Sequence, residues 1–218
     1  MSTIKENLTE IKKSIPPHLT LVAVTKTKPI TDIMEAYRAG QRDFGENKIQ
    51  EMTQKWESLP KDIKWHMIGH IQRNKVKYMA PYVSLVHGVD SLRLLKEIDK
   101  QAKINDRTIP CLLQIHIAEE DTKFGFDGTE LMELISSGQL AGLENVKIVG
   151  LMGMATFTDN TEQIKKEFRN LKGIWEQVKL IYPQITELSM GMSGDYQIAI
   201  AEGSTMIRLG SSIFGSRN

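Results

Sequence analysis

Eight short runs of apolar or β-branched residues recur along the chain, and segments of helical period separate them. The runs fall at 19–26, 43–46, 64–69, 84–89, 109–117, 146–154, 187–190 and 206–210. Several are almost unbroken apolar stretches, the pattern of parallel strands covered on the outside by helices. Between them, Ile164, Phe168, Leu171, Trp175, Val178 and Tyr182 step by four and three residues along one helical face. Leu92, Leu95 and Ile98 do the same after the capping pair Asp90-Ser91, and Ile49, Met52 and Trp56 mark another helix. The alternation predicts a TIM-type (β/α)8 barrel of α/β class, slightly short of the usual length at 218 residues. An extra helix at about 2–14 precedes the first strand. The competing architecture, an open doubly wound sheet, calls for a glycine fingerprint after the first strand, and Lys26-Thr27-Lys28-Pro29 is not one. No linker or repeat divides the chain, so one domain over 1–218 is expected.

Barrels of this type gather functional residues where strands end, on the C-terminal face. The first run ends in Thr25-Lys26, directly after the apolar stretch 21–24. A lysine at a dry barrel mouth loses hydration, which disfavours its ammonium form and makes an unprotonated amine available for a Schiff base. A strand-end lysine snorkelling to solvent gives the same pattern. The loops after the seventh and eighth runs carry Gly191, Ser193 and Gly194, then Gly210, Ser211 and Ser212. Glycine lets backbone N–H groups approach an anion, hydroxyls add donors, and barrels often bind phosphate with these two loops. Arg208 lies two residues before Gly210 and shares its side of the strand. Its guanidinium needs an acceptor: a ligand's pyridine nitrogen or phosphate, or an ion pair with Glu46 or Asp195.

Other features argue for ordinary roles. His66 and His70 have the spacing of a helical zinc pair, but their glycine-broken context reads as strand then turn, so no metal is expected. The segment 73–77, with Arg73, Lys75 and Lys77, reads as a solvated helix face. Cys111 sits in an apolar run, where burial raises a thiol pKa, so a buried and inert residue is expected. A net charge of +1 gives no electrostatic drive toward nucleic acid. The polar N-terminal segment has no signal-peptide character and no stretch is long enough to span a membrane; a cytoplasmic, monomeric protein is expected.

Taken together, the motifs resemble the YggS/PROSC pyridoxal phosphate homeostasis proteins, relatives of the barrel domain of alanine racemase. The matching segments are Val22-Ala23-Val24-Thr25-Lys26-Thr27-Lys28-Pro29, Phe44-Gly45-Glu46-Asn47, Trp65-His66-Met67-Ile68-Gly69 and Gln72-Arg73-Asn74-Lys75. Further on come Thr122-Lys123-Phe124-Gly125, Gly150-Leu151-Met152, Leu188-Ser189-Met190-Gly191-Met192-Ser193 and Arg208-Leu209-Gly210-Ser211-Ser212-Ile213-Phe214-Gly215. The resemblance implies pyridoxal 5′-phosphate held covalently on Lys26, with Arg208 at the pyridine nitrogen. It places Ser193, Gly210 and Ser211 at the phosphate, and Asn47 and His66 near the ring. The sequence departs from the family's pattern at His70-Ile71, at His116 and at Gly194.

Two functions of different class fit these residues. One is a holder that buffers the cofactor and delivers it to apo-enzymes; the other is an amino-acid racemase. Racemisation needs a group on each face of the substrate carbon. Lys26 serves one face, His66 and Tyr196 are weak choices for the other, and the sequence ends just after the eighth unit. The holder is the expectation, with Lys28 or Lys123 as a transient acceptor of the aldehyde.

Overall fold

A computed structural model describes residues 3–119 and 124–215. Among these residues eight parallel strands close into a barrel in chain order. They are β1 (Thr20–Val24), β2 (Asp43–Glu46), β3 (Lys64–Met67), β4 (Leu85–Val89), β5 (Ile109–Ile115), β6 (Val146–Gly153), β7 (Glu187–Ser189) and β8 (Met206–Leu209). The ring shuts where β1 pairs with β8, with Thr20 opposite Met206 and Ala23 opposite Leu209. Each strand begins within a residue of its predicted start or at it. The ends fall up to two residues early, because pairing stops where the chain turns into the loops that build the mouth.

Helices alternate with the strands. They include α1 (Ile4–Ser14), α2 (Ile30–Arg38), α3 (Ile49–Ser58), α4 (Val76–Met79), α5 (Leu92–Ile104), α6 (Gly128–Ser136), α7 (Thr161–Ile181), α8 (Tyr196–Ala201) and α9 (Ser211–Phe214). Their starts follow local chemistry. Thr3 and Glu6 form a capping box at α1, Asp127 and Glu130 form another at α6, and Ser91 accepts from the Leu94 amide at α5. The predicted stripe on α7 is buried as far as Val178. The basic segment at 73–77 begins as a 3₁₀ turn over Arg73–Lys75 rather than as an α-helix. The extra N-terminal helix packs on α2 and α9, and Asn7 Nδ2 donates to the Ile213 carbonyl at 2.9 Å.

Most buried side chains lie between strands and helices. A second, smaller apolar cluster of Val22, Leu85, Leu112, Met152 and Met206 sits apart from them. These residues share inward-facing parity along their strands with Val24, His87, Gln114, Met154 and Arg208. The interior of the barrel is therefore packed, as expected of a barrel whose lumen is a core rather than a pore. No helix among the described residues is long and apolar enough to cross a membrane.

Candidate functional site: the C-terminal mouth of the barrel

Above the interior cluster the barrel opens into a cavity of about 430 Å³. Six residues singled out from the sequence line it together: Lys26, Asn47, Ser193, Arg208, Gly210 and Ser211. They come from the ends of β1, β2, β7 and β8, so closure of the ring at β1–β8 places the first and last units side by side. Its size is that of a small-molecule or cofactor site.

Lys26 continues the inward parity of Val22 and Val24, which carries its side chain to the cavity. Thr25, just before it, is buried, and its hydroxyl donates to Glu46 Oε1 at 2.6 Å. Asn47 follows Glu46 at the end of β2. Gly69 packs against its backbone so tightly that a Cβ there would stand 2.4 Å from the Asn47 carbonyl oxygen.

The two glycine–serine loops form one cradle. Ser193 Oγ accepts the Gly210 amide at 3.2 Å and the Ser212 amide at 3.4 Å, tying the loop after β7 to the one after β8. Gly191 turns the first of these loops at φ +99°, a backbone conformation that disfavours a side chain. Its carbonyl accepts the Arg208 amide at 3.0 Å. Lys28, also on the cavity wall, donates to the Phe214 carbonyl at 3.0 Å and so caps the C-terminus of α9. The expectation that Lys28 accepts an aldehyde meets this competing structural role. Lys123, the other proposed acceptor, lies outside the described residues.

Arg208 is 4 % exposed and donates from Nη1 to Ser189 Oγ and from Nη2 to the Gly153 carbonyl at 3.1 Å. Burial brings its pKa down to about 10, with Asp195 opposing the shift, so it is a cation at neutral pH. Glu46, one of the two ion-pair partners considered from sequence, is engaged elsewhere, by Lys55 at 2.7 Å.

Behind Arg208 a chain of polar side chains descends through the barrel. Ser189 Oγ pairs with His87 Nδ1 at 3.1 Å, His87 Nε2 with His66 Nδ1 at 3.0 Å, and His66 Nε2 with Asp43 Oδ1 at 3.2 Å. Asp43 opens β2, so the chain ends near the N-terminal mouth. Burial holds the pKa of His87 well below the usual histidine value, helped by His66 and Arg208, and the imidazole is neutral at pH 7. Burial pushes the Asp43 carboxyl up, but the His66 bond and the electrostatic attraction of His66, Lys64 and Lys12 together outweigh it and lower that carboxyl.

His66 therefore does not line the cavity. The register of β3, with His66 opposite Gly45 and Leu85, turns its ring toward His87 inside the barrel instead. Tyr196 packs against the main core and is absent from the cavity wall.

The sequence profile of the alanine racemase N-terminal domain matches residues 1–218. A pyridoxal phosphate homeostasis protein of Synechocystis sp. is 42 % identical over 214 residues, covering 95 % of this chain and 96 % of the relative. This chain belongs to that family. A solved structure of PipY from Synechococcus elongatus, with pyridoxal phosphate bound, superposes with a TM-score of 0.89 at 35 % identity, covering 98 % of this chain and all of the other. An alanine racemase of Clostridium difficile shares the fold at 15 % identity and a TM-score of 0.81, and this chain spans 57 % of it.

For a pyridoxal phosphate homeostasis chain, the residues that sequence reasoning passed over are Ser189, His87 and Lys55. His87 shares strand parity with Leu85 and Val89, which marks it as inward-facing. Lys55 falls three residues after Met52 on the buried stripe of α3, where a lysine must find partners.

Proposed function

We propose that this chain binds pyridoxal 5′-phosphate at the C-terminal mouth, holds it covalently on Lys26, and buffers and delivers it within the cytoplasm. The observation that carries this reading is one cavity lined at once by an inward-facing lysine, a buried arginine and two hydroxyl-bearing glycine loops. The donor set fits the group. The Ser193 and Ser211 hydroxyls would offer O–H donors to a phosphate, and the Gly210 and Ser212 amides, which donate to Ser193 Oγ in this structure, would turn their N–H groups to it in exchange; Arg208 would offer N–H to the ring nitrogen. When bound, the cofactor would supply an aldehyde for condensation with the Lys26 amine, with loss of one water. Asn47 borders the same space.

Arg208 bears on the choice between holder and enzyme. A guanidinium at the ring nitrogen opposes protonation there, which makes the ring a weak electron sink. That suits retention of the cofactor better than carbanion chemistry. The names carried by the family's members point the same way. Recipients would be apo-enzymes that use the cofactor, and the working unit would be the monomer.

Borohydride reduction of loaded protein, followed by peptide mass mapping, tests the linkage, with amino-acid racemisation assayed on the same sample. A phosphopyridoxyl group on Lys26 without turnover supports the holder. Robust turnover supports the racemase instead. No adduct, with no change on Lys26→Ala, refutes the covalent reading.

A further inference from the structure

Lys55 sits on the outer side of the barrel wall, 6 % exposed, one helix away from the cavity it never touches. Its ammonium has three donors, and all three are placed. One goes to the Thr25 carbonyl at 2.8 Å, one to Glu46 Oε1 at 2.7 Å and one to Glu51 Oε1 at 2.7 Å. Each acceptor bears on the neighbours of Lys26. Thr25 precedes it, and Thr25 is held a second time through its hydroxyl on Glu46. Glu51 Oε1 also accepts the amide of Thr27, the residue that follows it, at 2.7 Å.

Thr27 adopts φ +65°. For a β-branched residue this is a strained conformation that persists only where surrounding bonds over-determine it. The hydrogen bond that its amide donates to Glu51 is such a bond, and Glu51 is steadied in turn by Lys55. Burial disfavours the charged form of Glu51, but the bonds from Lys55 and Thr27 win and hold its carboxyl below the usual range. The buried Glu46 carboxyl has no partner for Oε2 among the described residues, so Lys55 is its one ion-pair partner there.

We infer that Lys55 is a positioning residue for Lys26: through Thr25, Glu46 and Glu51 it fixes the backbone on both sides of the cofactor lysine and so sets where the amine points. The inference rests on the reading that Lys26 carries the cofactor. It also explains why an internal lysine and two acidic residues meet outside the cavity. They hold a strained turn in place.

The test compares the full-length wild type with Glu51→Ala, Lys55→Met and Lys55→Arg. Hydrogen exchange reads the turn without any cofactor. The Thr27 amide should exchange about tenfold faster in Glu51→Ala and Lys55→Met, the factor corresponding to strain of this class. Strand amides in Glu51→Ala should keep wild-type protection. Protein loaded with pyridoxal phosphate is then mixed with excess hydroxylamine as a scavenger. Release should be about tenfold faster in the same two variants, with a shifted absorption maximum, and Lys55→Arg should recover part of both. Lys55→Met leaves Glu46 buried without its cation, so if that variant does not fold, Glu51→Ala carries the test. Release and spectrum equal to wild type, with an adduct on Lys26 and Thr27 deprotected, overturn the positioning role alone. A wild type that takes up no cofactor on Lys26 overturns the cofactor reading and, with it, this one.

Discussion

Ser189 is the residue on which the polar chain through the barrel turns, and replacing it by alanine has a cost that can be worked from the contacts. Its hydroxyl accepts from Arg208 Nη1 and pairs with His87 Nδ1, and all three side chains are buried. Alanine removes one oxygen and leaves two polar groups without that partner, one of them on a cation. An unsatisfied buried group costs about 1–3 kcal/mol, and more when charged. Arg208 keeps its bond to Gly153 and His87 keeps His66, so a total of about 3 kcal/mol is expected. For a chain of this size that lowers Tm by about 6–12 °C. The assay is calorimetry or guanidinium unfolding of cofactor-free protein. The double variant Ser189→Ala, Arg208→Met removes the stranded charge as well, so its stability should exceed that of Ser189→Ala alone. A single-variant loss below about 0.5 kcal/mol, or a double variant that loses the sum of the two single costs, would refute the claim that Ser189 satisfies the buried guanidinium.

Three further outcomes are expected. Gly191→Ala, at φ +99° and with its new Cβ 2.6 Å from the Ala199 Cβ, should lower stability by about 2–3 kcal/mol in guanidinium unfolding. The folded pKa of Asp43 lies below its ordinary 3.8, so its contribution is present above that value and lost as pH falls through the folded one. Asp43→Asn should therefore flatten the acid limb of the stability–pH curve, read by circular dichroism. Burial pushes the Cys111 thiol up, so a thiol reagent at pH 8 should leave native protein unlabelled and react fully only in denaturant.

What the sequence disclosed divides along the range of the forces involved. Strand runs, helix faces and caps such as Ser91 depend on neighbours within a few residues, and they were legible. So was the inward parity that carries Val22, Val24 and Lys26 to one side. Partner choice was not. Arg208 needed an acceptor, but the pairing of β7 with β8 and the parity of Ser189 decide which one it finds. Glu46 was open to Arg208 on paper, and only the packing of α3 against the outer wall gives it to Lys55. His66 matched a family segment near the mouth, yet β3 ends a residue later at Met67, and the ring turns into the lumen.

Barrel closure has a consequence for synthesis. The amine arrives with residue 26, whereas the arginine and the second glycine–serine loop arrive with residues 208–211, and the pairing of β1 with β8 joins them. A ribosome-bound chain stalled before the eighth strand emerges should gain no cofactor-dependent protection from protease, however well its earlier units have packed. Ligand stabilisation is thus delayed until the ring can shut.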